Sequence, residues 1–154
     1  MSLNAAFVDF GFDKHGFLPL RDLSSEFFTT DNNGKKKCNL KEGQEILVQV
    51  NKEERGTKGA TLSTQISIAG RFMVLIANSN RGGGISRRIT GDEREDLKNQ
   101  IAKLDIPENM SVIIRTAGID RTFEELQNDL NYLISLWDNI HLNQVSADAP
   151  QCIY

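Results

Sequence analysis

The sequence predicts an α+β fold in two parts: a small β-barrel over residues 1–66, then a small α/β unit over residues 67–154. Three observations predict it. The first third carries short apolar segments of alternating pattern, cut by glycine and charged turns. From Phe72 the pattern changes to a continuous apolar run followed by apolar stripes at helical spacing. Two Thr-x-x-Glu pairs, Thr90/Glu93 and Thr122/Glu125, precede those stripes as helix-start signals.

In the first part, Ala6, Val8 and Phe10 alternate with Phe7 and Asp9, so one face of a strand turns to a core and Phe7 to the other. Gly11 to Gly16 turns the chain, and Gly16-Phe17-Leu18-Pro19-Leu20 is extended again, with Phe17 out of phase with Leu18 and Leu20. A polar loop follows, with Asp31-Asn32-Asn33-Gly34 as a turn and Lys35-Lys36-Lys37 as a basic run. Glu45 to Val50 forms a strand with Ile46, Val48 and Val50 on one face; Lys52 to Gly59 is a charged hairpin; Ala60 to Ile68 is a further strand. Short antiparallel strands with glycine turns suit a barrel of the oligonucleotide-binding (OB) type.

In the second part, Phe72 to Ile76 has the unbroken apolar pattern of a strand covered on both faces. Leu97, Ile101 and Leu104 form the apolar stripe of a helix that Asp105-Ile106-Pro107-Glu108 stops. Ser111 to Thr116 is the next strand. Leu126, Leu130, Leu133, Ile134 and Trp137 line a longer helix running to about Ile140.

A formal net charge of −3 excludes a histone-like coat of positive charge, so any nucleic-acid site is a local patch. No apolar run has the length of a membrane span, and Met1-Ser2-Leu3 is too short and polar for a signal peptide, reading instead as an expression scar. Cys38 and Cys152 lack CxxC spacing and fit a reducing cytoplasm, and His15 and His141 are isolated, so a His/Cys metal site is not expected. No Ser/His/Asp grouping or HExxH pattern is present.

Two groups of residues carry chemistry. Asn80-Arg81-Gly82-Gly83-Gly84-Ile85 runs into Ser86-Arg87-Arg88-Ile89, and Ile113-Ile114-Arg115-Thr116-Ala117-Gly118 ends an apolar strand with a guanidinium and a hydroxyl. Guanidinium forks, short hydroxyl donors and glycine-exposed backbone N–H groups suit a doubly charged phosphate; a surface loop of solvated arginines is the plainer alternative. Phe7 and Phe17, on the face opposite the core set, would make a platform for stacking bases, with Lys58 of the charged hairpin as a phosphate contact. Ordinary packing of both rings against a neighbouring domain, and a solvated turn at Lys58, are the alternatives.

The run Ala5-Ala6-Phe7-Val8-Asp9-Phe10-Gly11, then His15-Gly16-Phe17-Leu18-Pro19-Leu20, then Lys52-Glu53-Glu54-Arg55-Gly56-Thr57-Lys58-Gly59-Ala60 resembles the N-terminal region of bacterial endoribonucleases of the ribonuclease E/G family. Ile68-Ala69-Gly70-Arg71, Ser86-Arg87-Arg88-Ile89 and Ile114-Arg115-Thr116-Ala117-Gly118 continue the resemblance in the same order, across essentially the whole chain beyond its first three residues. The segments His15-Gly16-Phe17-Leu18-Pro19-Leu20 and Lys52-Glu53-Glu54-Arg55-Gly56 look more like the ribonuclease E branch than the G branch. Ala77 stands where that pattern has a proline, a minor departure.

The resemblance implies an S1-type OB-fold that holds single-stranded RNA through Phe7, Phe17 and Lys58, followed by a 5′ sensor. The sensor's arginine–threonine pair falls on Arg115 and Thr116, with Gly70, Val74 and Arg87 lining the pocket for a 5′-monophosphate. It further implies that the barrel lacks its first strand and that the chain is an excised piece, with no catalytic residues and no cofactor of its own. Catalytic Mg²⁺ and structural Zn²⁺ belong to later parts of the full-length family member, which forms homo-oligomers. The implied location is cytoplasmic, or at a membrane through parts outside this stretch. The implied role is RNA processing and decay, including rRNA processing. The alternative is a non-catalytic OB-fold module of the RNA-chaperone or translation-factor type, which leaves Arg115 and Thr116 without a task. A nucleotide-using enzyme fits less well, since the glycine loop lacks GxxxxGK[ST].

Overall fold

The structure is a computed structural model that describes residues 4–79 and 83–154. The reading of Met1-Ser2-Leu3, and the part of the glycine loop formed by Asn80, Arg81 and Gly82, lie outside the described residues. The chain divides into two compact units, residues 1–66 together with 143–154, and residues 67–142. The C-terminal stretch 143–154 thus groups with the first unit, not with the second as its place in the sequence suggests; Pro150 lies in van der Waals range of the site a Cβ would take on Gly11.

The first unit holds a four-stranded sheet of order β1-β2-β6-β5. β1 (Ala5–Val8) and β2 (Gly16–Pro19) are antiparallel, β2 runs parallel to β6 (Thr61–Ser63), and β6 is antiparallel to β5 (Gln49–Lys52). Among the described residues the sheet does not close into a barrel, and β1 and β5 are its edges. Its core is Leu18, Leu23, Ala60 and Leu62, with Ala6, Val8 and Phe10 half-buried against it, so the alternation read from β1 holds. Fully burying a leucine contributes about 1.5–3 kcal/mol. Packing is close: a Cβ on Gly16 would stand 2.7 Å from Leu62 Cγ. Ser24 N–H donates to Thr64 Oγ1 (2.7 Å) and Thr64 N–H to Asp22 O (3.1 Å), satisfying buried backbone where β6 ends.

Three strand expectations are corrected in detail. Ile46 and Val48 pack on the core as expected, but the strand starts only at Gln49, because the half-extended approach makes no ladder. The long strand over Ala60–Ile68 is two strands in different sheets, β6 and β7 (Ser67–Ala69); Ser63 Oγ bonds Gln65 N (3.0 Å) and bends the chain between them. The loop between Asp22 and Gly43 contains a two-stranded ribbon, β3 (Phe28–Thr30) and β4 (Lys36–Cys38). Its tip is the expected turn, with Asp31 Oδ1 accepting from Asn33 N (2.9 Å) and Lys35 N (2.8 Å).

The second unit is a sheet of order β7-β8-β10-β9, with β8 (Met73–Ile76), β10 (Ser111–Ile114) and a two-residue β9 (Gly84–Ile85) parallel to β10. Met73, Leu75, Val112 and Ile114 are buried, whereas Val74 and Ile76 are half-buried and Ile113 is exposed. The sheet therefore has one covered face, not two as the apolar run of β8 suggests. α1 (Gly91–Ile101) buries Leu97. Its expected capping box does not form: Thr90 occupies the cap position without a side-chain bond, and Gly91 at φ 65° turns the chain between them. α2 (Phe123–Ser146) runs further than expected and buries Leu126, Leu130, Leu133, Trp137 and Ile140. Its capping box is complete, with Glu125 N donating to Thr122 Oγ1 (3.2 Å) and Thr122 N to Glu125 Oε2 (2.9 Å). That backbone bond from Thr122, with the nearby Arg121 charge, holds the Glu125 carboxyl below its ordinary range despite some desolvation. Among the described residues no helix is long and apolar enough to cross a membrane.

Candidate nucleic-acid interface

On the first unit, Phe7 and Phe17 are register partners across the β1–β2 ladder. Their rings stand edge to face, centroids 5.9 Å apart, and are 62% and 36% exposed. Leu18, beside Phe17, is fully buried, so the strand itself separates core from platform. Phe7 is therefore not part of the core of its unit. Lys58 is exposed at the hairpin between β5 and β6, which Arg55 and Lys58 close through reciprocal backbone bonds (3.0 and 3.1 Å). Phe17 N donates to Ala60 O (2.8 Å), so Lys58 lies two residues upstream of a direct contact with the aromatic strand. Gly59 permits that approach, since a Cβ there would fall 2.6 Å from His15 O. Lys14 pairs with Glu54 and also donates to Gly56 O (2.8 Å), bracing the same hairpin.

On the second unit, the register places Ala69, Val74, Ile113 and Gly84 in one row across the open face of the sheet. Arg115 continues the β10 ladder through its N–H to Phe72 O (2.8 Å) and shares the parity of Ile113, so it belongs to that open face. Its Nη1 donates to Gly70 O (3.0 Å). A guanidinium has five N–H donors, and among the described residues this side-chain bond uses one of them. Thr116 is exposed and opens a single 3-10 turn (Thr116–Gly118) directly after Arg115. Ser86 N donates to Ile114 O (2.8 Å), which puts the turn bearing Arg87 beside the end of β10. That segment thus continues an edge strand, with Gly84 inside β9. Gly83 can sit there because a Cβ would be 2.7 Å from Val112 O. Arg94 clasps the turn with bonds from Nη1 to the carbonyls of Ser86 and Ile89 (both 3.2 Å), leaving Arg87 and Arg88 exposed.

Val74 thus pairs with Ile113, two residues before Arg115 on β10, Gly70 O accepts from the Arg115 guanidinium, and Arg87 follows Ser86, whose N–H bonds Ile114 O. Sequence reasoning missed two further cations, Arg71 and Arg121, whose guanidinium carbons lie 5.8 and 5.4 Å from the Phe72 ring centroid at the same turn. It also missed Asp129, whose signal was an acid placed among Leu126, Leu130 and Leu133 on the buried stripe of α2. Among the described residues no group of three or more His, Cys, Asp or Glu is arranged to hold a metal ion.

The family model for the Ribonuclease E/G family matches residues 67–154, more than half of the chain. The chain belongs to the ribonuclease E/G family. The model for the S1 RNA binding domain matches residues 3–65, which include Phe7, Phe17 and Lys58. The chain is 49% identical to ribonuclease E of Haemophilus influenzae over 99% of this chain and 17% of that protein. It is 48% identical to ribonuclease E of Escherichia coli over 99% of this chain and 15% of that protein. Ribonuclease G of Haemophilus influenzae is 36% identical over 90% of this chain and 29% of its own length. The chain thus spans less than a fifth of those two ribonuclease E relatives. Within the ribonuclease E/G match fall Gly70, Val74, Arg87, Arg115 and Thr116. The S1 match agrees with the OB-type reading, the parallel β2–β6 pairing linking two otherwise antiparallel hairpins of an open sheet.

Proposed function

We propose that this chain is the RNA-binding and 5′-monophosphate-sensing part of a single-strand-specific endoribonuclease that acts in the cytoplasm in RNA processing and decay. The observation that carries the reading is Arg115: an exposed guanidinium tethered by one bond to Gly70 O, followed at once by the exposed hydroxyl of Thr116. A tethered fork costs less side-chain entropy to order on a ligand than a free arginine. A terminal phosphate carries more charge than an internal diester and offers three free oxygens, which matches a fork plus a hydroxyl. Arg87 adds long-range attraction. On the first unit, the exposed Phe7/Phe17 pair presents π-faces that only unpaired bases can stack on, and Lys58 supplies a phosphate contact. Hydrolysis, with the Mg²⁺ and Zn²⁺ sites and the oligomer interfaces expected of the family, is assigned to parts of the whole protein outside this chain.

The test is a comparison of Kd for oligonucleotides differing only in a 5′-monophosphate or 5′-hydroxyl end, with ATP as competitor. Tighter binding of the phosphorylated end, lost in Arg115→Ala, is expected. Equal affinity for both ends would refute the sensing role. RNA binding without end preference would favour the plain OB-fold module.

A further inference from the structure

The turn that tethers Arg115 is itself held from behind. Gly70 to Met73 join β7 to β8, with Gly70 N bonded to Met73 O (2.8 Å). Three successive N–H groups of this turn point at one carboxylate: Arg71 N donates to Asp129 Oδ1 (3.0 Å), while Phe72 N and Met73 N donate to Oδ2 (2.9 and 3.2 Å). From the other side, Arg115 takes the turn's carbonyls, its N–H bonding Phe72 O (2.8 Å) and its Nη1 bonding Gly70 O (3.0 Å).

We propose that Asp129 is the positioning residue of the Arg115 site: by filling the amide cluster of the Gly70–Met73 turn it fixes the Gly70 carbonyl that aims the Arg115 guanidinium. Successive backbone N–H groups of a turn form a concavity that binds anions. Here a carboxylate from α2 occupies it, so the amides are not available to the RNA phosphate, and end recognition falls to the side chains of Arg115 and Thr116. Aspartate is a poor residue for a helix interior and a poor one on a buried stripe. Its place among Leu126, Leu130 and Leu133 is accounted for by the bonds it accepts. Gly70 takes on a defined role as well. A Cβ there would stand 2.7 Å from Asp129 Oδ2 and 2.9 Å from Leu133 Cδ1, and no left-handed φ requires glycine at this position. Gly70 is glycine so that the carboxylate can reach the turn, rather than to open space for a ligand.

The inference rests on reading Arg115 as the ligand of the terminal phosphate, and its primary readout is therefore independent of RNA. In the full 154-residue chain, Asp129→Asn keeps the side-chain shape but turns an amide donor toward backbone donors. ¹⁵N relaxation of the Arg115 Nε–H group and amide exchange at Arg71, Phe72 and Met73 are compared with the parent. Arg115 is expected to gain picosecond–nanosecond mobility, the three amides to exchange faster, and the affinity ratio of 5′-monophosphate over 5′-hydroxyl RNA to fall about tenfold, which corresponds to about 1.4 kcal/mol. Affinity for the 5′-hydroxyl RNA itself is expected to stay constant. Should Asp129→Asn fail to fold, Gly70→Ala displaces the same carboxylate and carries the same readouts. Faster amide exchange with unchanged Arg115 mobility would overturn the inference, making Asp129 a structural staple only. If the parent shows no end preference, the sensing role fails, while Arg115 mobility in the variants still decides whether Asp129 positions it.

Discussion

Phe7 and Phe17 oppose each other across the β1–β2 ladder as an edge-to-face pair on the side of the sheet away from Leu18 and Leu62. Phe7 is the more exposed of the two rings. Phe7→Ala is expected to weaken binding of a single-stranded oligonucleotide by about 1–3 kcal/mol, the cost of one lost base stack. The loss in folding stability should be smaller, about 0.5–1.5 kcal/mol for the ring pair itself. Titration by fluorescence anisotropy alongside thermal unfolding checks both. A variant that unfolds readily and binds normally would mean the ring serves packing.

Lys58→Ala should act through charge. Each phosphate neutralised on a single strand contributes about 0.7 to the slope of log K against log salt. The variant is expected to lower that slope by about one such contribution and to weaken all sequences alike. An unchanged slope would remove Lys58 from the phosphate path.

Arg115→Lys separates charge from geometry. Lysine retains the positive charge but cannot hold the Gly70 carbonyl and offer a planar fork together. It should lose most of the 5′-end preference, an effect of about 1.5–3 kcal/mol per charge-assisted contact. Full retention would show that charge alone suffices at this position.

The Thr122–Glu125 capping box gives a pH signature. Glu125 titrates below its ordinary value in the folded chain, chiefly through the Thr122 backbone N–H. The native state thus binds its proton less readily than the unfolded chain, so the contribution is fully present above about pH 4.3, the ordinary glutamate value, and is lost as pH falls through the depressed native value. Denaturant unfolding of Glu125→Gln and the parent should differ at neutral pH and converge in acid. Parallel curves throughout would show that the carboxylate charge plays no part in the cap.

Leu75→Ala tests the covered face of the second sheet, where Leu75 is fully buried. A loss of about 2–5 kcal/mol is expected. Val74→Ala, half-buried on the opposite face, should cost less. Similar losses at both positions would show that the face bearing Val74 is packed as tightly as the core.

Residue order alone carries the two-part α+β plan, because alternation and helical periodicity are local and write the buried face directly into it. It likewise placed Phe7 opposite Ala6 and Val8, marked Thr122/Glu125 as a helix start, and singled out Arg115 and Thr116 at a strand end. Other features depended on partners distant in sequence. That Ala60–Ile68 would split between two sheets turned on Ser63 Oγ bending the chain at Gln65, and Thr90/Glu93, alike in spelling to the working box, failed for the φ of Gly91. β8 reads as covered on both faces, yet the structure buries Met73 and Leu75 and leaves Val74 and Ile76 half-buried. Asp129 reads as a misplaced acid until the fold brings α2 to the amides of Arg71, Phe72 and Met73, more than fifty residues away along the chain. Periodicity encodes what a segment hides from water; which donor meets which acceptor is a matter of chain-distant geometry, and that is where the tether of Arg115 was decided.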